Sequence, residues 1–138
     1  MKLEPTEKQK IGALGEDIAS KFLINKGYTL IERNYRKKFG EIDVIVRKAG
    51  KVHFVEVKTV SRDDLKDFVP EKLETKDSYR PEDNIHPWKL KRLSRAIQVY
   101  LLEKGIGENV DWQFDVVAVL LDEKNKIARV KFLEDIIL

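Results

Sequence analysis

An α/β fold is predicted by three features of this 138-residue sequence: a helical apolar stripe near its start, a run of short β-rich segments after it, and a second helical stripe followed by two more β-rich segments. Residues 6–26 predict the first helix. Ile11, Leu14, Ile18 and Phe22 recur at spacings of three and four, with Ala19 and Leu23 widening the stripe. Thr6 is placed to cap the start and Gly27 to stop the end, while Gly12 and Gly15 inside the arc permit close backbone packing. Glu16 falls at the margin of the arc, roughly 20° past Leu23 at about 100° per residue. Tyr28–Asn34, Glu41–Arg47 and Val52–Lys58 predict strands, the last two joined by the tight-turn sequence Lys48-Ala49-Gly50-Lys51. Trp88–Lys104 predicts the second helix, through Leu90, Leu93, Ile97, Tyr100 and Leu101 to the stop at Gly105. Trp112–Leu121 predicts a buried strand and Ile127–Leu133 a closing one. One domain over residues 1–138 is expected, with a charged, proline-bearing loop insert at about 61–87 that shows neither period.

Composition removes several classes of function. Without cysteine there is no disulfide framework, thiolate metal site or thiol nucleophile, and two histidines leave little for an all-protein zinc site. No apolar run approaches the length of a membrane span and the N-terminus lacks the apolar core of a signal peptide, so a soluble cytoplasmic protein with no membrane partner is expected. Charge is nearly balanced overall, at +3, but unevenly placed. Residues 61–87 hold five basic against eight acidic residues, leaving a net +6 on the remainder. A basic body with one acidic insert suits a polyanionic partner.

The hairpin turn carries the chemistry. A two- or four-residue loop at 48–51 makes paired positions sum to 99, which sets Asp43 opposite Glu56 with β-carbons about 4.5–5.5 Å apart. Lys58, two residues beyond Glu56, points to the same face. Directly opposed acids repel unless a cation neutralises them, and Mg²⁺, which takes one or two carboxylates and keeps waters and phosphates, is the natural cation. Such a trio is ordinarily a solvated salt-bridge cluster. Against that, Ile45, Val52 and Phe54 share the acid-bearing face, so the acids are partly covered, while Ile42, Val44, Val46, His53, Val55 and Val57 make the other face largely apolar.

With those residues in view, Gly40-Glu41-Ile42-Asp43 followed by Phe54-Val55-Glu56-Val57-Lys58 resembles the D…ExK half-motifs of PD-(D/E)xK nucleases. More narrowly, the chain resembles the YraN-type family of small uncharacterised proteins with a restriction-endonuclease-like fold, relatives of archaeal Holliday-junction resolvases. Gly12-Ala13-Leu14-Gly15-Glu16 with Ala19, then Gly27-Tyr28, Arg33-Asn34-Tyr35-Arg36 and Phe114-Asp115-Val116-Val117-Ala118-Val119 extend the likeness over most of the chain in order. The resemblance implies an αβββαβ core with a central mixed sheet flanked by helices. It further implies Asp43 and Glu56 as metal ligands, Glu16 as a helix carboxylate facing the metal, Lys58 beside the attacking water, and Lys89 reaching the site from the second helix. The activity implied is a Mg²⁺- or Mn²⁺-dependent nuclease acting on phosphodiester bonds, with a structure-selective DNA endonuclease favoured. The aromatic-Gly pair that relatives carry after the motif lysine is missing from 61–87.

Nucleic-acid contact is expected from two further places. Arg33, Tyr35, Arg36, Lys37 and Lys38 interleave cations with an aromatic just before the acidic hairpin, a pattern suited to phosphate contact and base stacking, or else to protecting an edge strand. Lys91, Arg92 and Arg95 form a basic face on the second helix, suited to phosphate or to plain solvation. Asp115 reads as a structural hydrogen-bonding group, His53 and His86 as incidental, and Trp88 and Trp112 as anchors. The rival to a nuclease is a non-catalytic nucleic-acid-binding module on the same fold; a protein–protein adaptor using 61–87 is a third reading. Symmetric substrates would favour a homodimer joined through exposed sheet edges.

Overall fold

The computed structural model describes residues 4–61, 87–106, 109–122 and 124–136. The expected insert at about 61–87, with His86, lies almost wholly outside them. Helix α1 (Glu7–Asn25) begins at a capping box. The Thr6 hydroxyl accepts from the Gln9 amide at 3.1 Å and the Gln9 side chain accepts from the Thr6 amide at 2.9 Å, so two otherwise orphaned donors are satisfied together. Strands β1 (Thr29–Lys37), β2 (Gly40–Lys48) and β3 (Lys51–Ser61) follow, then helix α2 (Pro87–Glu103) and strands β4 (Trp112–Asp122) and β5 (Ile127–Leu133).

The five strands form one sheet in sequence order. All neighbours are antiparallel except β3 and β4, which run parallel because the connection between them contains α2. The result is a mixed sheet with a helix on each face, consistent with a restriction-endonuclease-like αβββαβ core. Ala49 and Gly50 both take positive φ, 50° and 77°, the two-residue turn whose twist suits a hairpin. Pairing then runs from Lys48↔Lys51 to Val44↔Val55, the register in which partners sum to 99.

Two apolar layers sandwich the sheet. Ile45, Val52, Phe54, Phe114 and Val116 meet Leu93, Ala96, Ile97 and Tyr100 of α2; Val44, Val46, Val55, Val117 and Val119 meet Ala19 and Leu23 of α1. The α1 contact follows the expected stripe at Ile11, Ile18, Ala19, Phe22 and Leu23 and departs from it at Leu14, which is 43% exposed, while Gly15 and Ser20 are buried. At Gly15 any β-carbon would collide with the Thr59 side chain, and its absence lets the helix backbone lie directly on β3. Gly12 has open space around it and makes no such approach. Among the described residues no helix is long and apolar enough to cross a membrane.

Candidate active site

The site is built where a strand changes face. Residues two apart on a strand normally share a side. Arg33 reaches α1, yet Tyr35 lies in the α2-side core, and across the ladder Val44 faces α1 while its neighbour but one, Ile42, faces α2. The reversal occurs between the pairs Arg33↔Val44 and Tyr35↔Ile42, where Asn34 adopts a left-handed φ of 53°. Asparagine tolerates that conformation better than most residues with a β-carbon. The expectation that Ile42 lies on the same face as Val44 is corrected by this reversal. Its consequence is that Asp43, at the crossing, is within electrostatic reach of Glu16 from α1 and of Glu56 from β3.

Asp43 Oδ2 accepts the Val57 amide at 2.8 Å, and its carboxyl group lies within hydrogen-bonding reach of the Glu56 carboxyl. Glu56 is buried, at 4% exposure, and its Oε1 lies 2.6 Å from Nζ of Lys89 on α2. Burial, followed by the charge of Glu56, pushes Asp43 from the ordinary 3.8 up to about 8, outweighing the Val57 amide that favours its ionised form. Two acids in contact disfavour ionising together, and the ammonium of Lys89 pairs with Glu56. For Lys89 burial opposes the charged form, but the carboxylate of Glu56 prevails and its pKa is raised.

Glu16 is also raised, by burial and then by Asp43, with Arg33 and a hydrogen bond to Asn34 partly restoring its charge. Among the described residues, no three acidic or histidine side chains gather closely enough to form a metal cage. The donor set is thus two carboxylates in contact, with Glu16 nearby and held toward Arg33 at 3.6 Å. Such a set suits Mg²⁺ or Mn²⁺, which take one or two carboxylates and fill their shell with water and phosphate oxygen. It does not suit a cation needing a full protein cage. Lys58 follows Glu56 by two residues on β3, partly exposed, and makes no ion pair among the described residues; Lys89 is the lysine in contact with the acids.

The basic set expected to meet nucleic acid divides. Tyr35 is corrected: its ring is 4% exposed, packs edge-on against Tyr100, and its hydroxyl donates to Glu103 at 3.0 Å, which together with burial drives its pKa to about 12. A ring so enclosed cannot stack on a base. Arg33 is likewise committed within the fold, to Asp17 at 2.8 Å and Glu16 at 3.6 Å. Arg36 faces Glu41 at 3.6 Å and Lys37 faces Glu103 at 3.2 Å, whereas Lys38, Lys91, Arg92 and Arg95 are exposed and make no ion pair among the described residues. Trp88 and Trp112 are 56% and 41% exposed, Trp112 resting edge-on against Phe54.

Two features escaped the sequence. The role of Asn34 had one readable signal, an asparagine between bulky residues in a strand. His53 had none, because its partner lies 62 residues away: Nδ1 is 2.7 Å from Asp115 Oδ2, and the Tyr28 ring packs edge-on to the imidazole. Asp115 Oδ1 also accepts from Gln113 and from the Asp135 amide, so Asp115 is a structural hydrogen-bonding centre and His53 is not incidental.

Fold and site together define an α/β protein with two carboxyl groups, Asp43 and Glu56, in contact at the point where a strand changes face, backed by a helix lysine. The chain belongs to the family described as "Uncharacterised protein family UPF0102", whose sequence profile matches residues 15–119, a span containing Glu16, Asp43, Glu56, Lys58 and Lys89. It is 38% identical over 120 residues to a UPF0102 protein of Alkaliphilus metalliredigens, covering 86% of this chain and 92% of that one. A UPF0102 protein of Alkaliphilus oremlandii is 39% identical over 118 residues, with 84% and 89% covered. One from Campylobacter fetus is 34% identical over 125 residues, with 91% of each covered.

Proposed function

We propose that this protein is a metal-dependent nuclease of the PD-(D/E)xK type, hydrolysing nucleic-acid phosphodiester bonds, and that a structure-selective DNA endonuclease is its favoured form. The observation that carries the reading is the Asp43–Glu56 contact. A fold that needs only stability gains nothing from setting a buried acid against a partly buried one, and strongly perturbed carboxylates are more common at sites that bind or react. Asp43 and Glu56 would hold Mg²⁺ or Mn²⁺, which when bound supplies a more acidic water and neutralises charge on the phosphate. The ammonium of Lys89 against Glu56 already marks where positive charge is favoured.

The protein's own groups divide the remaining work. The Val57 amide fixes the orientation of Asp43 by holding Oδ2. Lys89 pairs with Glu56 and places an ammonium where a phosphate oxygen can approach. Lys58, on the same strand face, is free to orient a water or take up its proton. Glu16, held by Arg33 and Asn34, adds negative charge beside Asp43 and strengthens the demand for a cation.

Calorimetric titration with Mg²⁺ and Mn²⁺ tests the reading. The wild type is expected to bind saturably and Glu56→Ala to lose binding, with cleavage of branched or single-stranded DNA lost in parallel. If neither protein takes up metal, with or without DNA, and DNA binding falls steeply with salt alone, the fold is a non-catalytic binding module.

A further inference from the structure

We infer that Phe39, at the β1–β2 turn, is a stacking platform for an unpaired base, and that with Lys38, Arg92 and Arg95 it selects nucleic acid carrying single-stranded nucleotides. This rests on the nuclease reading and names the substrate class of the same site.

Phe39 is 53% exposed, although it lies only four residues from the partly buried Asp43. A single exposed ring needs no cover for the sake of stability, but it offers a flat face on which another ring can stack. What could stack on this one follows from where the turn is held. Gly40, the next residue, rests on α2 so closely that a β-carbon would fall on the Arg92 carbonyl oxygen and lie 3.3 Å from the Ala96 β-carbon. The turn is therefore fixed against one side of α2 by backbone contact. The residues on that side form a row of i, i+4 and i+8 neighbours, Trp88, Arg92 and Ala96, with Arg95 roughly 60° further round at about 100° per residue. Arg92 and Arg95 are exposed and make no ion pair among the described residues, and Lys38 Nζ lies 5.9 Å from the Phe39 ring centre. Glu41, just after the turn, faces Arg36 at 3.6 Å, and Glu103 faces Lys37 at 3.2 Å.

An exposed ring among unpaired cations matches the chemistry of a single strand, in which bases offer stacking faces and phosphates offer charge. A continuous duplex presents phosphates but keeps its base faces stacked, so it would use the cations and leave the ring bare. The same geometry connects the platform to the acids. Lys89, in contact with Glu56, occupies the helix row next to Arg92. Three strand residues, roughly 10 Å, separate Gly40 from Asp43, about three nucleotide steps along a stacked strand. A strand laid over Phe39 thus reaches the acid pair within a few nucleotides.

The test is equilibrium binding in EDTA, where no cleavage intervenes, of a fluorescein-labelled twenty-nucleotide oligo-dT and a twenty-base-pair duplex. Wild type is expected to prefer the single strand. Phe39→Ala and Phe39→Leu should lose about tenfold on oligo-dT, the scale of one base–aromatic stack, while Phe39→Trp retains affinity and all three keep duplex binding within about twofold. Arg92→Ala should weaken both ligands and lower the salt dependence by about one phosphate contact. Unchanged oligo-dT binding in Phe39→Ala overturns the platform and leaves the nuclease reading intact. Equal losses on both ligands overturn the selectivity, since the ring would then be a general contact. Absence of binding by the wild type to either ligand removes the nuclease reading and the platform together.

Discussion

Strand β3 carries two buried polar clusters three residues apart, and they are built on opposite terms. At His53, facing α1, the polar groups partner one another: the imidazole Nδ1 meets Asp115 at 2.7 Å, and Asp115 also accepts from Gln113 at 2.7 Å and from the Asp135 amide at 2.9 Å. At Glu56, facing α2, two acids lie within hydrogen-bonding reach and repel when both are ionised. The first cluster is a satisfied network of the kind that rigidifies a core and ties the end of β5 to β4. The second sets two acids in contact beside Lys89, an arrangement that costs stability. Buried polar residues are thus poor guides to function by themselves; the contact between like-charged groups separates the two.

Substitutions should act on the two clusters with opposite sign. The largest effect is expected from Asp115→Ala, which strips partners from His53, Gln113 and the Asp135 amide at once. A loss of about 3–5 kcal/mol in urea denaturation follows from leaving such groups buried and unpaired. A loss below about 1 kcal/mol would mean that the two clusters do not differ in the way described.

Asp43→Asn should act in the other direction and depend on pH. The folded-state pKa of Asp43 is raised from 3.8 to about 8, so the folded protein holds the proton more firmly than the unfolded chain. That contribution to stability is complete below about pH 4 and is lost as pH rises toward about 8. The amide keeps an acceptor for Val57 and offers a donor to Glu56 without any charge. The variant should therefore match the wild type near pH 4 and exceed it by roughly 1–3 kcal/mol at pH 9. Thermal melts across that range give the answer, and a variant less stable than the wild type at pH 9 would place Asp43 with the structural cluster.

The smallest effect is expected from Lys89→Met. Its ammonium meets a buried carboxylate but is itself 45% exposed, so water screens much of the interaction. A loss of about 1 kcal/mol or less, shrinking with added salt, would agree with a cation placed for a ligand rather than for the fold.

Much of this molecule was legible from residue patterns. Both helices, all five strands and the 48–51 turn follow from local periodicity and from the positive φ that Ala49-Gly50 must adopt, and that turn alone sets the register bringing Asp43 and Glu56 together. The contact face of α1 was legible except at Leu14, because an apolar stripe marks where side chains could be buried and not how closely Gly15 lets backbone approach β3. The fate of the basic run was not legible at all. Arg33 and Tyr35 look alike as binding candidates until Asn34 turns one toward α1 and buries the other beneath α2.

What the sequence determined by itself was local: which segments are helix or strand, and which residues a two-residue turn sets opposite one another. What only the tertiary structure decided was non-local. It placed Lys89 on Glu56 across 33 residues, His53 on Asp115 across 62, and Phe39 in the open beside Arg92. The physical reason is that period and turn chemistry act over a few residues, whereas burial, charge pairing and pKa depend on which distant surfaces come to exclude water together.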